Sequence, residues 1–126
     1  MRLGDIASSA MNALGVDMLV RANNIANMNT PEFEAQRVTL TSGPQNQGVL
    51  VGSIYHDTTP GALVPGMVMT NEGGREVLRP GYVEGSNTDI AREFVHMIST
   101  QRAYEANAAV VRTYDDVSGV LLDMKV

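Results

Sequence analysis

Apolar residues in the first part of the chain recur in steps of three and four: Leu3, Ala7, Ala10, Leu14, Met18 and Ile25, with Arg21 interrupting. A second stripe, Ile6, Ala10, Ala13 and Val20, breaks at Asp17. Together they predict an amphipathic helix from Leu3 to Asn27. Gly4 and Gly15 weaken it by about 1 kcal/mol each relative to alanine, so it is not expected to hold its shape alone. The pattern is stronger from Asn87 to Lys125. Ile90, Phe94, Met97, Gln101, Tyr104, Ala108 and Val111 recur first. The register then slips by one to Val110, Tyr114, Val117, Leu121 and Met124. A period near 3.5 predicts a helix that pairs as in a coiled coil, and the N-terminal helix is its natural partner. Asn87 or Thr88 is the expected cap, with Asp89 in the first turn, where the helix dipole favours negative charge. Gln101 is a candidate for setting the register of the pair, and Arg102 and Glu105 are placed to pair locally.

Between the helices the pattern changes. Residues 28–86 hold all five prolines and most of the glycines. Two β-rich runs appear, Arg37–Thr41 and Val49–Tyr55, bounded by the turn signals Ser42-Gly43-Pro44 and Thr59-Pro60-Gly61. Val64-Pro65-Gly66 and Asn71-Glu72-Gly73-Gly74 are expected to be mobile. The fold class is therefore α+β: two long terminal helices as a coiled-coil-like unit, with a small β-rich or irregular insertion. Residues 1–29 are expected to form the first terminal helix, 30–86 the insertion and 87–126 the second, the two ends making one discontinuous domain.

Composition narrows the function. The chain has 126 residues, enough for one domain. Aromatic residues are 5% and tryptophan is absent, so the apolar content is small and aliphatic, suited to close helix packing. A net charge of −5 argues against nucleic acid, whose phosphates call for a basic face, and no apolar run approaches the length of a membrane span. Without cysteine there is neither disulfide nor thiolate metal site. Arg2 is followed by Gly4 and Asp5, which does not make a cleavable secretory signal.

Candidate chemistry is sparse. His56 and His96 are isolated, Asp115 and Asp116 point apart on a helix, and Glu72-Gly73-Gly74-Arg75-Glu76 lacks a phosphate-loop pattern. No catalytic, cofactor or metal residue is expected, and the eight methionines are read as gap-fillers. The cluster Asn23, Asn24, Asn27 and Asn29 stands out, because asparagine is a poor helix former placed where a helix ends. Asn27 is expected as a left-handed stop, and Asn29-Thr30-Pro31 as a turn closed by the asparagine side chain. Beyond capping, these amides are candidates for clasping the backbone of a neighbouring subunit.

Two stretches carry a resemblance. Ala22-Asn23-Asn24-Ile25-Ala26-Asn27-Met28-Asn29-Thr30-Pro31 resembles the N-terminal signature of flagellar basal-body rod and hook proteins. Glu84-Gly85-Ser86-Asn87-Thr88-Asp89, followed by Gln101-Arg102-Ala103-Tyr104-Glu105-Ala106-Asn107, resembles their C-terminal signature. The resemblance covers roughly residues 6–40 and 80–126. It implies an axial protein whose terminal helices pack into a tube, exported by the flagellar type III apparatus without a cleaved signal. The length resembles a short, proximal-rod-like member. Glu32 stands where the family usually has glycine, and Glu34 where it has a basic residue, so the turn after Pro31 is expected to differ.

The expected function is a structural subunit of the basal-body rod, in its periplasm-spanning part. Its expected partners are copies of itself, other axial proteins and the export apparatus, with no nucleic acid, membrane insertion or cofactor. The expected assembly interface comprises Ile6, Ala10, Leu14, Met18, Asn23, Asn24, Ile25, Asn27 and Asn29 from the first helix. From the second it comprises Phe94, Met97, Ile98, Gln101, Tyr104, Asn107, Ala108, Val111, Val117 and Leu121. The alternatives are a distal rod or other axial component, a non-polymerising helical adaptor or export chaperone, and an enzyme using His56-Asp57 or Arg75-Glu76.

Overall fold

The computed structural model describes residues 2–124. The order is α1 (Leu3–Ala26), β1 (Gln36–Ser42), β2 (Val49–His56), β3 (Leu63–Glu72), β4 (Arg75–Glu84) and α2 (Ile90–Met124), an α+β arrangement. Lys125, the expected end of the second helix, lies outside the described residues. Asp89 caps α2, accepting from the Arg92 N–H at 3.3 Å, one residue beyond the expected caps. The two helices run antiparallel, since Asp17 meets Thr100 and Arg21 meets Glu93, while Gly4 lies against the ring of Tyr114.

The seam keeps only part of the stripe that the periodicity suggested: Met97, Tyr104, Val111 and Tyr114 are half-buried, while Ile90, Phe94, Val117, Leu121 and Met124 are exposed. On α1 the buried positions are Ala7, Ala10, Ala13, Asp17, Val20 and Asn24, in steps of three and four; Asp17 meets α2, while Asn24 meets β1. On α2 Glu93 and Thr100 are buried, and Met97, Ala103, Tyr104, Asn107, Ala108, Val111, Tyr114 and Ser118 are half-buried, a helical face with no slip at Val110. Asp17, expected to break the face, sits inside it. Its Oδ2 accepts from Thr100 Oγ1 at 2.7 Å and from Arg21 Nε at 3.1 Å. Arg21 Nη1 also donates to Glu93 Oε2 at 3.2 Å, and Glu93 is 1% exposed. With its hydrogen bonds met, the buried charge is tolerated. Gln101 is exposed and donates to Glu105 in its own helix, so it does not set the register between α1 and α2. Arg102 pairs with Glu105 at 3.2 Å as expected.

β1 and β2 form an antiparallel hairpin with a bulge between Thr39 and Leu40, matching the two β-rich runs. The hairpin lies along α1 and is tied to it at both ends. The Ser9 hydroxyl accepts from the Val49 N–H at 3.1 Å, and Asn24 pairs with Gln36. From Ser9 to Asn24 a helix rises ~22 Å, and β1 spans ~20 Å, so the lengths match.

The segment expected to be mobile is a second antiparallel hairpin, β3 with β4, in unbroken register from Leu63↔Glu84 to Glu72↔Arg75. Gly73 (φ 59°) and Gly74 (φ 83°) supply the left-handed two-residue turn that such hairpins favour. Gly66 and Gly81 face each other across the strands. A Cβ on either would come within 2.8 Å of a valine methyl carbon, that of Val83 or Val68.

Candidate assembly interface

The asparagine cluster resolves into separate tasks. Asn24 is fully buried. Its Nδ2 donates to the Gln36 C=O and its Oδ1 accepts from the Gln36 N–H, both at 2.8 Å. The side chain thus stands in for a neighbouring strand at the start of β1. The clasp expected across a subunit boundary is satisfied within the chain. Asn27 is not left-handed (φ −102°, ψ 18°). Its Nδ2 instead donates to the Asn23 C=O at 2.9 Å, while Thr30 Oγ1 donates to Asn27 Oδ1 at 3.0 Å. The following turn is closed by the backbone, Thr30 N–H to Asn27 C=O and Phe33 N–H to Thr30 C=O. Among the described residues Asn29 contributes no side-chain hydrogen bond; it lines a cleft of about 330 Å³ with Met28, Pro31, Val64 and Pro65.

Glu32 does adopt the glycine-like conformation, with φ 60°, and its N–H donates to the Glu84 C=O at 2.8 Å. That hydrogen bond to the end of β4 holds the residue in a conformation that costs a Cβ-bearing side chain energy. Glu34 reaches His56 at 4.0 Å, with both side chains about half exposed.

Sequence reasoning missed the loop clamp at Asn87. Its Oδ1 accepts from the Ala35 N–H at 2.6 Å, and its Nδ2 donates to the carbonyls of Asp57 at 2.6 Å and Thr59 at 2.8 Å. One amide thus joins the start of β1, the end of β2 and the entry to α2. Beside it Arg37 pairs with Asp57 at 2.8 Å. Hydrogen bonds from Thr59 and from Arg37 hold the Asp57 carboxyl well below the usual carboxylate range. Nothing in the pattern of apolar spacing reveals this clamp. Only the density of small polar residues in Ser86-Asn87-Thr88-Asp89 hints at it.

What remains is the outer surface. The fully buried apolar residues among those described are Ala7, Ala10, Ala13, Val20 and Ala35, all small. Many of the large ones face out, among them Leu19 (72% exposed), Phe94 (49%), Ile98 (57%), Val117 (53%) and Leu121 (60%). Ile6, Leu14, Met18 and Ile25 on α1 and Ala108 on α2 are half-buried, while Asn23 is exposed. Beyond Tyr114, which meets the start of α1, α2 continues for ~15 Å with Val117, Val120, Leu121, Leu122 and Met124 all uncovered.

Both helices fall in segments shared with known proteins. Residues 5–33 match the family described as flagella basal body rod protein, and residues 79–124 the C-terminal family of flagellar basal body rod FlgEFG proteins. The chain is 33% identical to the flagellar basal-body rod protein FlgC of Yersinia enterocolitica, over 86% of this chain and 85% of that one. It is 29% identical to FlgC of Borreliella burgdorferi over 86% of each. To FlgG of Buchnera aphidicola from Schizaphis graminum it is 44% identical over 48% of this chain, which is 20% of that longer protein. Similarity to FlgC along nearly its full length, together with matches that fall on the two helices paired here, makes this chain a member of the flagellar basal-body rod protein family.

Proposed function

We propose that this structural subunit of the flagellar basal-body rod assembles by burying the outward apolar faces of α1 and α2 against copies of itself and other axial proteins. The observation that carries the reading is the inverted distribution of apolar residues. The fully buried apolar side chains are small and lie beside a polar network, Met97, Tyr104, Val111 and Tyr114 are only half-buried, and Phe94, Ile98, Val117 and Leu121 face water. Covering a large apolar side chain fully is worth about 1.5–3 kcal/mol. Several half-exposed ones per contact supply several kcal/mol without new polar pairing. Two unlike faces meeting head to tail give an open helix of subunits rather than a closed dimer.

Within the expected interface, Phe94, Ile98, Val117 and Leu121, with Leu14, Met18 and Ile25, are the direct contact residues of this reading. Ala10, Asn24, Met97, Tyr104, Asn107 and Val111 act indirectly, by shaping the pair of helices. A thin core unfolds at low cost, which suits passage through the flagellar type III export apparatus to the periplasm-spanning rod. In a strain deleted for the chain, wild type should restore motility and rods. Phe94→Glu with Ile98→Glu should be exported yet restore neither. Full motility in that variant would overturn the reading.

A further inference from the structure

Among the elements of the fold, β3 and β4 pack substantially on each other alone. The foot of this hairpin is tightly made. The Gly85 N–H donates to the Ala62 C=O at 2.7 Å, and the Gly61 N–H to Glu84 Oε1 at 3.0 Å, so the pairing runs past both strands and takes in residues 61–85. Gly61 and Gly85 cross so closely that a Cβ on Gly61 would collide with the Gly85 carbonyl oxygen. Below the foot, Asn87 holds the carbonyls of Asp57 and Thr59, and its own N–H donates to the Phe33 C=O at 3.3 Å. A braced arm and a pinned body are therefore joined by two short backbone links, at Pro60 and at Ser86.

Across these links, among the described residues, one hydrogen bond ties the arm to the body: the Glu32 N–H to the Glu84 C=O, at 2.8 Å. Its donor is the residue held at φ 60°. Net of water, a backbone hydrogen bond stabilises by about as much as a left-handed residue bearing a Cβ costs. Opening the bond frees Glu32 to return to negative φ, so gain and loss nearly cancel. Little packing opposes the opening, and local openings are cheap where few apolar contacts break. The cleft of about 330 Å³ between Met28, Asn29 and Pro31 on one side and Ala62, Val64 and Pro65 on the other leaves the foot room to move. We infer that β3–β4 is a hinged arm, pivoting at Pro60 and Ser86 between a position latched by the Glu32 N–H and a released one, so that one sequence presents the hairpin at two angles. The strain at Glu32 sets the balance between them.

The chain has no cysteine, so spin labels can be placed at will. One pair joins Arg75→Cys, at the far end of the arm, to Ser99→Cys on the exposed side of α2; Thr41→Cys with Ser99→Cys is the control within the body. The arm is ~30 Å long, so a small swing at its foot is a large displacement at position 75. In the purified chain at low concentration, the first pair should give two distances, one of them that of this structure, and the control pair one. Glu32→Gly keeps the N–H and relieves the strain, and should raise the latched-to-released ratio about fivefold. Glu32→Val keeps the N–H but is β-branched and worse at positive φ, and should lower the ratio. A single narrow distance for the first pair in all three chains, or two distances whose ratio neither substitution moves, would overturn the inference.

Discussion

Asn24 meets both backbone groups of Gln36 from a fully buried position. Asn24→Ala leaves two buried groups unpaired and should cost about 2–4 kcal/mol, read from the urea midpoint, while Asn27→Ala should stay within about 1 kcal/mol. Equal losses would contradict the division of labour drawn here. Glu32 sits at φ 60°, where a Cβ is penalised. Glu32→Gly should raise stability by up to about 1 kcal/mol, the strain relieved less the flexibility gained by the unfolded chain. Asp57 gives a pH dependence. Its folded pKa is depressed, so its contribution is complete above the unfolded value near 4 and fades as pH falls through the folded one. Thermal unfolding should show a loss below pH about 4 that Asp57→Asn reduces.

The elements follow from sequence to different degrees. Both helices were legible because their apolar spacing is long and regular, and β1 and β2 because valine, threonine and isoleucine dominate them. β3 and β4 were not, since Pro65, Gly66, Pro80 and Gly81 interrupt the alternation. Yet Gly73-Gly74 between Thr70-Asn71-Glu72 and Arg75-Glu76-Val77 was a hairpin signal. The choice of seam was also hidden. Spacing ranks large apolar positions first and cannot see that Asp17 has Thr100 and Arg21 waiting for it. This network sets an element-scale prediction. Arg21→Met strands two buried carboxylates and should cost about 3–5 kcal/mol, whereas replacing Asp17, Arg21 and Glu93 together by apolar residues of similar size should be neutral or stabilising. Chemical unfolding of the single and triple variants would check this. Among the candidate site residues, the outward ones were readable as apolar, but which of them faced α1 was not.

Among the described residues, the fully buried apolar side chains are small, and the large ones are half-buried or exposed, unlike the core of a self-sufficient domain. The stability of the subunit and its ability to assemble should therefore separate. Phe94→Glu with Ile98→Glu should change the unfolding free energy by less than about 1 kcal/mol, because both sites are half exposed, while abolishing incorporation into rods. Electron cryo-microscopy of purified basal bodies tests the central claim most directly. The account predicts this chain in the rod, with Phe94, Ile98, Val117 and Leu121 buried against neighbouring chains. Side chains at these four positions that remain in contact with solvent in the assembled rod would contradict it.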